Sequence, residues 1–220
     1  SIDGLQDRSL LAHSIFVDHH PWLHWTSQKD LKLLSDNGAT VAHCPTVFSR
    51  RGIALNTFGT YLRNGVRMSI GTDTYPHNLL DECRTAVMVA RIIGQSVTEL
   101  ECVDVFNAAT VAGADALNRS DIGRIAVGCK DDFSNIDLAA HSMRPIREPL
   151  RTLIGVAGSR PVTDVFVHGE QVVNNGAVVN IDFDLELTRL QIAQDNMLNV
   201  VSERDWNSPV SYTHLRAHET

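Results

Sequence analysis

The sequence predicts an α/β protein in which units of a (β/α)8 barrel are followed by a small β domain. Three short apolar runs each lead directly to polar residues: Leu10-Leu11-Ala12 to His13, Thr40-Val41-Ala42 to His43, and Met68-Ser69-Ile70 to Gly71-Thr72-Asp73. His43 lies 30 residues after His13, and Asp73 lies 30 residues after His43. A βα unit in a barrel of about 250 residues takes roughly 31, and active-site groups lie at the C-terminal ends of its strands. The spacing therefore predicts three consecutive barrel units.

The segments between these runs are predicted to be helices. Ser27 is expected to cap a helix that buries Leu31 and Leu34 on one face and stops at Asn37-Gly38. The segment from Thr57 to Asn64 has apolar residues at helical spacing and precedes a glycine, which indicates a second helix. Each helix leads into one of the apolar runs, as alternating βα units require.

Two further helices are predicted after Asp73. Asn78 is expected to cap the first helix, which has two acidic residues in its opening turn and ends before Gly94. Its apolar stripe consists of Leu79, Cys83, Ala86, Ala90 and Ile93. Thr98 and Glu101 have the spacing of a capping box, which predicts the start of the second helix.

The pattern changes near residue 122 to short β-rich runs separated by turn signals. The runs are Leu153 to Ala157, Val162 to Val167, Gln171 to Val173 and Ala177 to Ile181. Asn174-Asn175-Gly176 has the composition of a hairpin turn between the last two runs. From Phe183 to Val200, apolar residues recur three or four positions apart, which predicts a closing amphipathic helix.

Charge and cysteine content restrict the classes of partner. Nineteen basic and 26 acidic residues give a net charge of -7, which argues against a nucleic acid polymer as partner. The four cysteines form no C-x-x-C pair, and we interpret them as reduced thiols of a cytoplasmic protein. No run approaches the roughly 18 apolar residues of a spanning helix and no signal segment opens the sequence, so no membrane partner is expected.

The polar residues at the run ends resemble the amidohydrolase superfamily. Leu11-Ala12-His13, Val41-Ala42-His43-Cys44-Pro45 and Gly71-Thr72-Asp73 look like its sixth, seventh and eighth strand ends, in that order. The branch that they resemble contains cytosine, guanine and S-adenosylhomocysteine deaminases and triazine hydrolases. Ile122 to Gly128 and Val165 to Gly169 are similar to the C-terminal β-sandwich of that branch. The resemblance implies the C-terminal part of a TIM-like barrel followed by part of a small β-sandwich.

The resemblance also implies domain boundaries. Residues 1–120 are expected to be the barrel segment, 121–182 the partial sandwich and 183–208 the C-terminal helix. Residues 209–220 have no periodicity and look like cloning sequence appended to the natural chain. His214 and His218, four residues apart in this tail, are therefore not expected to bind metal.

The function implied by the resemblance is a metal-dependent aminohydrolase that acts on a nitrogen heterocycle. Replacing an exocyclic amine requires water that is nucleophilic at neutral pH, which a divalent metal ion provides. The aspartate that matches Asp73 binds this single ion, zinc or iron, and accepts the proton of the attacking water. His13 would polarise the attacked centre or orient the hydroxide, and His43 would line the pocket. The substrate is expected to be a small molecule, and the parent enzyme a homo-oligomer.

Residues 46–52 depart from the Ser-Asn pair that relatives usually carry after this proline. Phe48 is predicted to stack on a substrate ring, and Arg50 or Arg51 to meet a carbonyl or carboxylate. The alternative is that the two arginines form a solvated basic pair. His77 either reaches the substrate or is an ordinary loop residue.

A histidine and tryptophan cluster follows His13 in the sequence. It consists of His19, His20, Trp22, His24 and Trp25. A second metal site or an aromatic lid is one interpretation. The favoured interpretation is a loop that packs its tryptophans on the barrel rim, where loops also close active sites.

Two motifs of the resembled family have no counterpart in this sequence. They are the first-strand His-x-His and the fifth-strand His-x-x-Glu, which supply the remaining metal ligands and the proton shuttle. The chain is therefore expected to be a C-terminal fragment that is inactive alone. The alternatives are a cyclic amide or halide hydrolase of the same superfamily, and a non-catalytic scaffold relative. Asp73 disfavours the scaffold, because assembly does not require a carboxylate at a strand end.

Overall fold

The computed structural model describes residues 4–75, 77–157 and 162–204. The chain divides into two compact units, Ser1–Gly176 and Ala177–Thr220. The elements of the first unit are β1 (Leu10–Ala12), a 3-10 turn (Pro21–Leu23), α1 (Asp30–Asp36), β2 (Thr40–His43), α2 (Pro45–Ser49), α3 (Phe58–Arg63), β3 (Arg67–Ile70), α4 (Leu79–Gly94), α5 (Cys102–Ala109), α6 (Val111–Ala116), β4 (Phe133–Ile136), a second 3-10 turn (His141–Met143), α7 (Pro149–Val156), β5 (Val162–Val167) and β6 (Glu170–Asn174). The second unit contains β7 (Ala177–Val178) and α8 (Phe183–Arg204).

A parallel sheet in the order β1-β2-β3 forms the first half of the first unit. Ala12 pairs with Ala42, and His43 pairs with Ile70, so the three strands end at the same edge. Helices follow each strand in sequence, as parallel connections require. The predicted α/β class and the three predicted strands are confirmed. The closed barrel stays a prediction, because the described residues contain only this part of one.

The core of the first unit lies between the parallel sheet and its helices. Leu31 and Leu34 of α1 are buried as predicted, and Phe58 and Tyr61 of α3 are fully enclosed. The Tyr61 hydroxyl donates a hydrogen bond of 2.6 Å to the Ser14 carbonyl. A buried phenol requires such a partner, and this bond ties α3 to the segment that leaves β1.

The predicted capping role of Ser27 is wrong. α1 begins at Asp30 after Lys29, which offers no side-chain cap. The Ser27 hydroxyl instead donates to Asp18 at 2.7 Å, and Asp18 also accepts the Lys29 backbone N–H at 2.6 Å. The cap of α1 therefore comes from a carboxylate eleven residues before Lys29, which a local pattern does not reveal.

The predicted start of α4 is confirmed, and its apolar stripe is shifted. The Asn78 side chain accepts the N–H groups of Leu80 and Asp81. The buried face of the helix consists of Glu82, Cys83, Ala86, Val87 and Ala90. Leu79 and Ile93, which were expected in the stripe, are exposed. The face therefore includes a carboxylate that the apolar pattern did not anticipate.

The capping box before α5 lies one turn later than predicted. Glu101 is the N-cap residue, and its N–H donates to the Asp104 carboxylate at 3.1 Å. Thr98 lies in the preceding turn, where its backbone N–H donates to the Ser96 hydroxyl and the two hydroxyls are 3.1 Å apart. Glu101 and Asp104 have the same three-residue spacing as Thr98 and Glu101 but not the Ser/Thr-x-x-Glu/Gln pattern, so the sequence pattern favoured the earlier pair.

The β region contains an antiparallel sheet in which β4 pairs with β5 and β5 with β6. The strands predicted near β5 and β6 are confirmed, whereas β4 was missed; its Phe133 stacks on Phe166 at 4.6 Å. The strand predicted over residues 153–157 is wrong, because this segment belongs to α7. Glu148 caps that helix and Pro149 occupies its first position, a combination that favours helix despite the β-branched residues.

Turn geometry agrees with the sequence at the end of β6. Asn175 and Gly176 have φ values of 48° and 78°, as the two central residues of a type I′ turn require. In the second unit, β7 covers only part of the predicted strand. The predicted helix is present as α8, and Leu187, Leu190 and Met197 on its apolar side are exposed. Residues 209–220 lie outside the described residues.

No helix among the described residues is both long and apolar enough to cross a membrane.

Candidate active site

The ends of β1 and β3 bring two predicted site residues together. The Nε2 atom of His13 lies 3.5 Å from a carboxylate oxygen of Asp73. The His13 backbone N–H donates to the Ala42 carbonyl at 2.9 Å, and the Gly71 N–H donates to the His43 carbonyl at 3.0 Å. The hydrogen bonds of the sheet thus continue from β2 past the ends of both outer strands and fix the backbone at the site.

Both residues of this pair have left-handed backbone conformations. The φ angles are 65° at His13 and 56° at Asp73, and Ser14 is also left-handed at 43°. Such conformations cost roughly 1–3 kcal/mol each for residues with a Cβ, and they concentrate at functional sites. The strain motivates the hypothesis that the two side chains are held in place for chemistry rather than for stability.

The His13–Asp73 pair is open to solvent on one side and packed on the other. The side chains retain 26% and 36% of their exposure. The His13 ring meets the ring of Phe48 edge-on, with 4.7 Å between centroids, and its Nδ1 atom is buried without a hydrogen-bond partner in the part of the chain that the structure describes. A small molecule could therefore reach Nε2 and the Asp73 carboxylate while Phe48 restricts rotation of the imidazole.

His43 is enclosed rather than exposed at the strand ends. Its residue exposure is 4%, and its ring packs edge-on against Phe58 at 5.7 Å. Burial, and secondarily the charge of His13, lowers the pKa of His43 to about 3, so its imidazole is neutral at physiological pH. Its predicted role in lining the pocket stays a prediction.

The loop that carries Asp73 makes one contact with α2 and one contact within itself. Arg50, at the C-terminal end of α2, donates from Nη1 to the Tyr75 carbonyl at 3.0 Å. Within the loop, the Thr72 hydroxyl lies 3.2 Å from Nδ1 of His77. Arg50 and His77 therefore contact the Asp73 loop, and their predicted contacts with substrate stay predictions.

Gly71 allows the loop to approach β2 closely. A Cβ atom at this position would lie 3.3 Å from the Cys44 sulfur, which is tighter than ordinary contact. Burial raises the pKa of the Cys44 thiol to about 11, so this sulfur is a neutral packing group and not a nucleophile.

The histidine and tryptophan cluster after β1 is organised by hydrogen bonds. Asp18 lies 2.9 Å from Nδ1 of His19, and Nε2 of His20 lies 3.0 Å from the Ala54 carbonyl. Trp22 and Trp25 remain exposed, so the predicted packing of these tryptophans is not what the structure contains. The His19 and His20 rings therefore each have a hydrogen-bond partner within the described residues.

Asp18 is a structural residue that the sequence patterns missed. Burial acts to raise the pKa of its carboxyl, but hydrogen bonds from the Lys29 N–H, the Ser27 hydroxyl and His19 outweigh burial and hold the pKa at about 2. The Asp18 N–H in turn donates to the Asp30 carboxylate at 2.9 Å. The only sequence signal is an acidic residue that follows the short apolar run Ile15-Phe16-Val17 in this loop.

A complete metal site is not formed by the described residues. Among residues 4–75, 77–157 and 162–204, no three His, Cys, Asp or Glu side chains converge to hold an ion. Catalytic zinc typically takes three protein ligands and leaves one position open. Asp73 is a suitable single ligand, and the Nδ1 atom of His43 is buried without a hydrogen-bond partner among the residues that the structure describes. The residues present therefore do not fit zinc or iron on their own.

Comparison with known proteins matches this chain to amidohydrolases. Residues 2–172 match the model of the amidohydrolase family. The chain is 31% identical to a 5-methylthioadenosine/S-adenosylhomocysteine deaminase of Pyrococcus abyssi, over 82% of this chain and 43% of the relative. It is 26% identical to a 5'-deoxyadenosine deaminase of Methanopyrus kandleri, over 82% and 42% respectively. The chain thus spans less than half the length of these curated relatives.

Solved structures agree with the same fold. An adenosine deaminase from Xanthomonas campestris with bound zinc has a TM-score of 0.80 and 27% identity, over 89% of this chain and 44% of that one. An atrazine chlorohydrolase of Arthrobacter aurescens TC1, complexed with zinc, has a TM-score of 0.73 and 22% identity, over 86% and 41%. The second likeness carries information about the fold alone.

Proposed function

Because this chain belongs to the amidohydrolase family, we propose that it is part of an aminohydrolase that removes an exocyclic amino group from a nitrogen heterocycle. The observation that carries the proposal is the His13–Asp73 pair, which lies at the same edge of a parallel sheet, at the ends of its two outer strands. The deaminase names of the relatives support an adenine-type nucleoside as the substrate class.

In this proposal Asp73 accepts a proton. Attack of water on a ring carbon releases a proton from the attacking oxygen, and a carboxylate within hydrogen-bond reach is a suitable acceptor. The 36% exposure of the Asp73 side chain leaves room for water and substrate. His13 acts beside it through Nε2, by orienting the water or donating to the ring atom where charge develops.

The proposed enzyme is metal-dependent, although we assign no reaction step to a metal ion. Asp73 would contribute one carboxylate ligand to a set that is completed outside the described residues. Zinc is the ion that we propose, because the Xanthomonas campestris relative has it bound. A bound divalent ion would supply water that is nucleophilic at neutral pH.

Phe48, Arg50, His43 and His77 remain our proposed substrate-side residues. Phe48 already contacts His13, and Arg50 uses one nitrogen for the Tyr75 carbonyl, which leaves the other donors of its guanidinium for a ligand. The proposed organisation is a barrel segment over 1–120, a partial sandwich over 121–182 and a helix over 183–208. We also propose that the parent is a homo-oligomer, as the family resemblance implies, and that it is cytoplasmic, as the cysteine content indicates.

Two other functions are less well supported. Hydrolysis of a ring amide or a carbon–halogen bond uses similar groups, but the chlorohydrolase likeness concerns the fold alone. A scaffold without activity would not need Asp73 and His13 in strained conformations facing each other.

The experiment that tests the proposal is ammonia release by the intact protein, meaning the full-length parent of which we propose that this chain is a part. A panel of adenosine, 5-methylthioadenosine, S-adenosylhomocysteine, cytosine, guanine and a triazine amine should give turnover on at least one adenine-type nucleoside. Turnover that is confined to halide or ring-amide substrates would replace the proposal by the corresponding alternative. Absence of turnover on every class, with zinc bound, would favour the scaffold.

A further inference from the structure

The short helix α2 is held at its first turn by a buried carboxylate from α4. An oxygen of Glu82 accepts the Thr46 backbone N–H at 3.0 Å, and Glu82 is 1% exposed. Cys44, the residue before α2, provides no side-chain cap. Because the N–H groups in the first turn of a helix have no partner within it, Glu82 supplies the acceptor that the local sequence lacks.

The same helix contacts the candidate active site at its other end. Phe48 is two residues beyond Thr46, and its ring packs edge-on on His13 at 4.7 Å with 67° between the ring planes. α2 has only five residues, so a shift of its first turn displaces Phe48 as well. His13 in turn presents Nε2 to Asp73.

Stability alone does not account for a carboxylate at this position. The neighbouring buried residues of α4 are Cys83, Ala86, Val87 and Ala90. Burial of Glu82 raises the pKa of its carboxyl, which means that the charged form is disfavoured where it lies. Buried charged groups are weak contributors to stability compared with apolar residues of similar volume.

We propose that Glu82 is a positioning residue for the candidate active site. Through the Thr46 N–H it fixes α2, α2 fixes Phe48, and Phe48 fixes the imidazole of His13 opposite Asp73. The consequence for catalysis rests on the proposed function, whereas the effect on the orientation and protection of His13 does not.

The first test measures the protection of His13 without any substrate. Diethylpyrocarbonate modifies accessible imidazoles, and peptide mass mapping gives the rate at each histidine of the intact protein. Glu82→Ala should raise the rate at His13 by about threefold or more, because Phe48 no longer covers the ring. His77 is an internal reference, and Asp81→Ala is the matched control that removes a carboxylate from the adjacent position of α4. An unchanged His13 rate in folded Glu82→Ala overturns the proposal.

A conservative variant tests the hydrogen bond itself. Glu82→Gln retains an oxygen for the Thr46 N–H and should keep the His13 rate within about twofold of the original protein. Phe48→Ala removes the ring contact directly and should raise that rate. If Glu82→Ala does not fold, Glu82→Leu takes its place, because it removes the acceptor while it keeps a similar volume in the buried site, and an unchanged His13 rate in folded Glu82→Leu overturns the proposal.

The second test uses kinetics and applies if the proposed function holds. Displacement of a catalytic group by about 1 Å can reduce turnover about a hundredfold. Glu82→Ala should lower kcat by about 10–100-fold with KM within about threefold, and Glu82→Gln should recover most of the loss. A KM effect without a kcat effect would contradict positioning of His13. If no heterocyclic amine is turned over, the proposed function fails while the modification test still decides the role of Glu82.

Discussion

His13 and Asp73 are 60 residues apart in the sequence, yet His13 Nε2 lies 3.5 Å from the Asp73 carboxylate. The two residues follow the outer strands of a three-stranded sheet, and neighbouring strands are separated by about 4.8 Å. Both positions are hydrogen-bonded to β2, through the Ala42 and His43 carbonyls. The contact across β2 therefore depends on the left-handed turns that follow β1 and β3, because extended strands alone would keep the side chains apart.

Replacing Asp73 by Asn should abolish turnover in the intact protein. The amide cannot accept the proton of the attacking water and is a poorer metal ligand. We expect at least about a thousandfold loss of kcat, reduced zinc retention and an unchanged fold. Asp81→Asn, at a partly exposed carboxylate of α4 that pairs with Arg84, is the control. Activity within about tenfold of the original, a barrier change of only about 1.4 kcal/mol, would contradict the assignment.

Arg50 and Arg51 form a matched pair for testing substrate recognition. The side chains of Arg50 and Arg51 are both exposed. Arg50 donates one hydrogen bond to the Tyr75 carbonyl and retains further donors. Arg50→Ala should raise KM by about fivefold or more, or shift the preference among ring substrates, and Arg51→Ala should stay within about twofold. Equal kinetics of the two variants across pyrimidine, purine and triazine amines would support the solvated basic pair.

Removal of the Asp18 carboxylate should destabilise the protein. Asp18→Ala leaves the Lys29 N–H, the Ser27 hydroxyl and His19 without the buried carboxylate that accepts their hydrogen bonds. We expect a loss of about 2–4 kcal/mol in the free energy of unfolding, measured by urea denaturation. Asp36→Ala removes an exposed carboxylate paired with Lys32 and should cost less than about 1 kcal/mol. Equal losses in the two variants would show that the Asp18 network does not stabilise the fold.

The residues that were predicted correctly have local signals. An apolar run followed directly by a polar residue identified the ends of β1, β2 and β3, and Asn78 identified the start of α4. The failures involve partners far away in the sequence. Asp18 caps α1 across a loop, and Glu82 caps α2 from 36 residues away. Periodicity treats such acidic residues as solvent-facing, so neither role could be anticipated.

The closeness of His13 and Asp73 could be inferred only in part. Equal spacing indicated that both lie at one edge of a sheet. The left-handed φ angles occur at a histidine and an aspartate, residue types that adopt this conformation more often than most but still rarely, so the residue types alone do not identify these two positions. The misread segment in α7 has a similar explanation, since its β-branched residues suggest a strand until Glu148 and Pro149 are recognised as a helix start.

Zinc content provides a test that does not depend on activity. Because no three suitable side chains converge among the described residues, this 220-residue chain expressed alone should retain well under one zinc or iron per chain after desalting. It should also release no ammonia from adenine-type nucleosides. A chain that binds one metal ion tightly and turns over a heterocyclic amine would show that its ligand set is complete.

Acidification should destabilise the fold through His43. Its pKa is about 3 in the folded protein and about 6.5 in an unfolded chain. The unfolded state therefore binds a proton first, so the stability due to neutral His43 is fully present above pH 6.5 and is lost progressively between pH 6.5 and 3. From pH 7 to 5 the free energy of unfolding should fall by about 2 kcal/mol from this group, at up to about 1.4 kcal/mol per pH unit.

In His43→Asn, which cannot titrate, urea denaturation across the same range should lack this decrease. His24→Asn, which replaces an exposed histidine in the loop after β1, serves as the control variant and should leave the decrease in place. An identical pH dependence in the original protein and His43→Asn would mean that the buried imidazole does not control stability in acid.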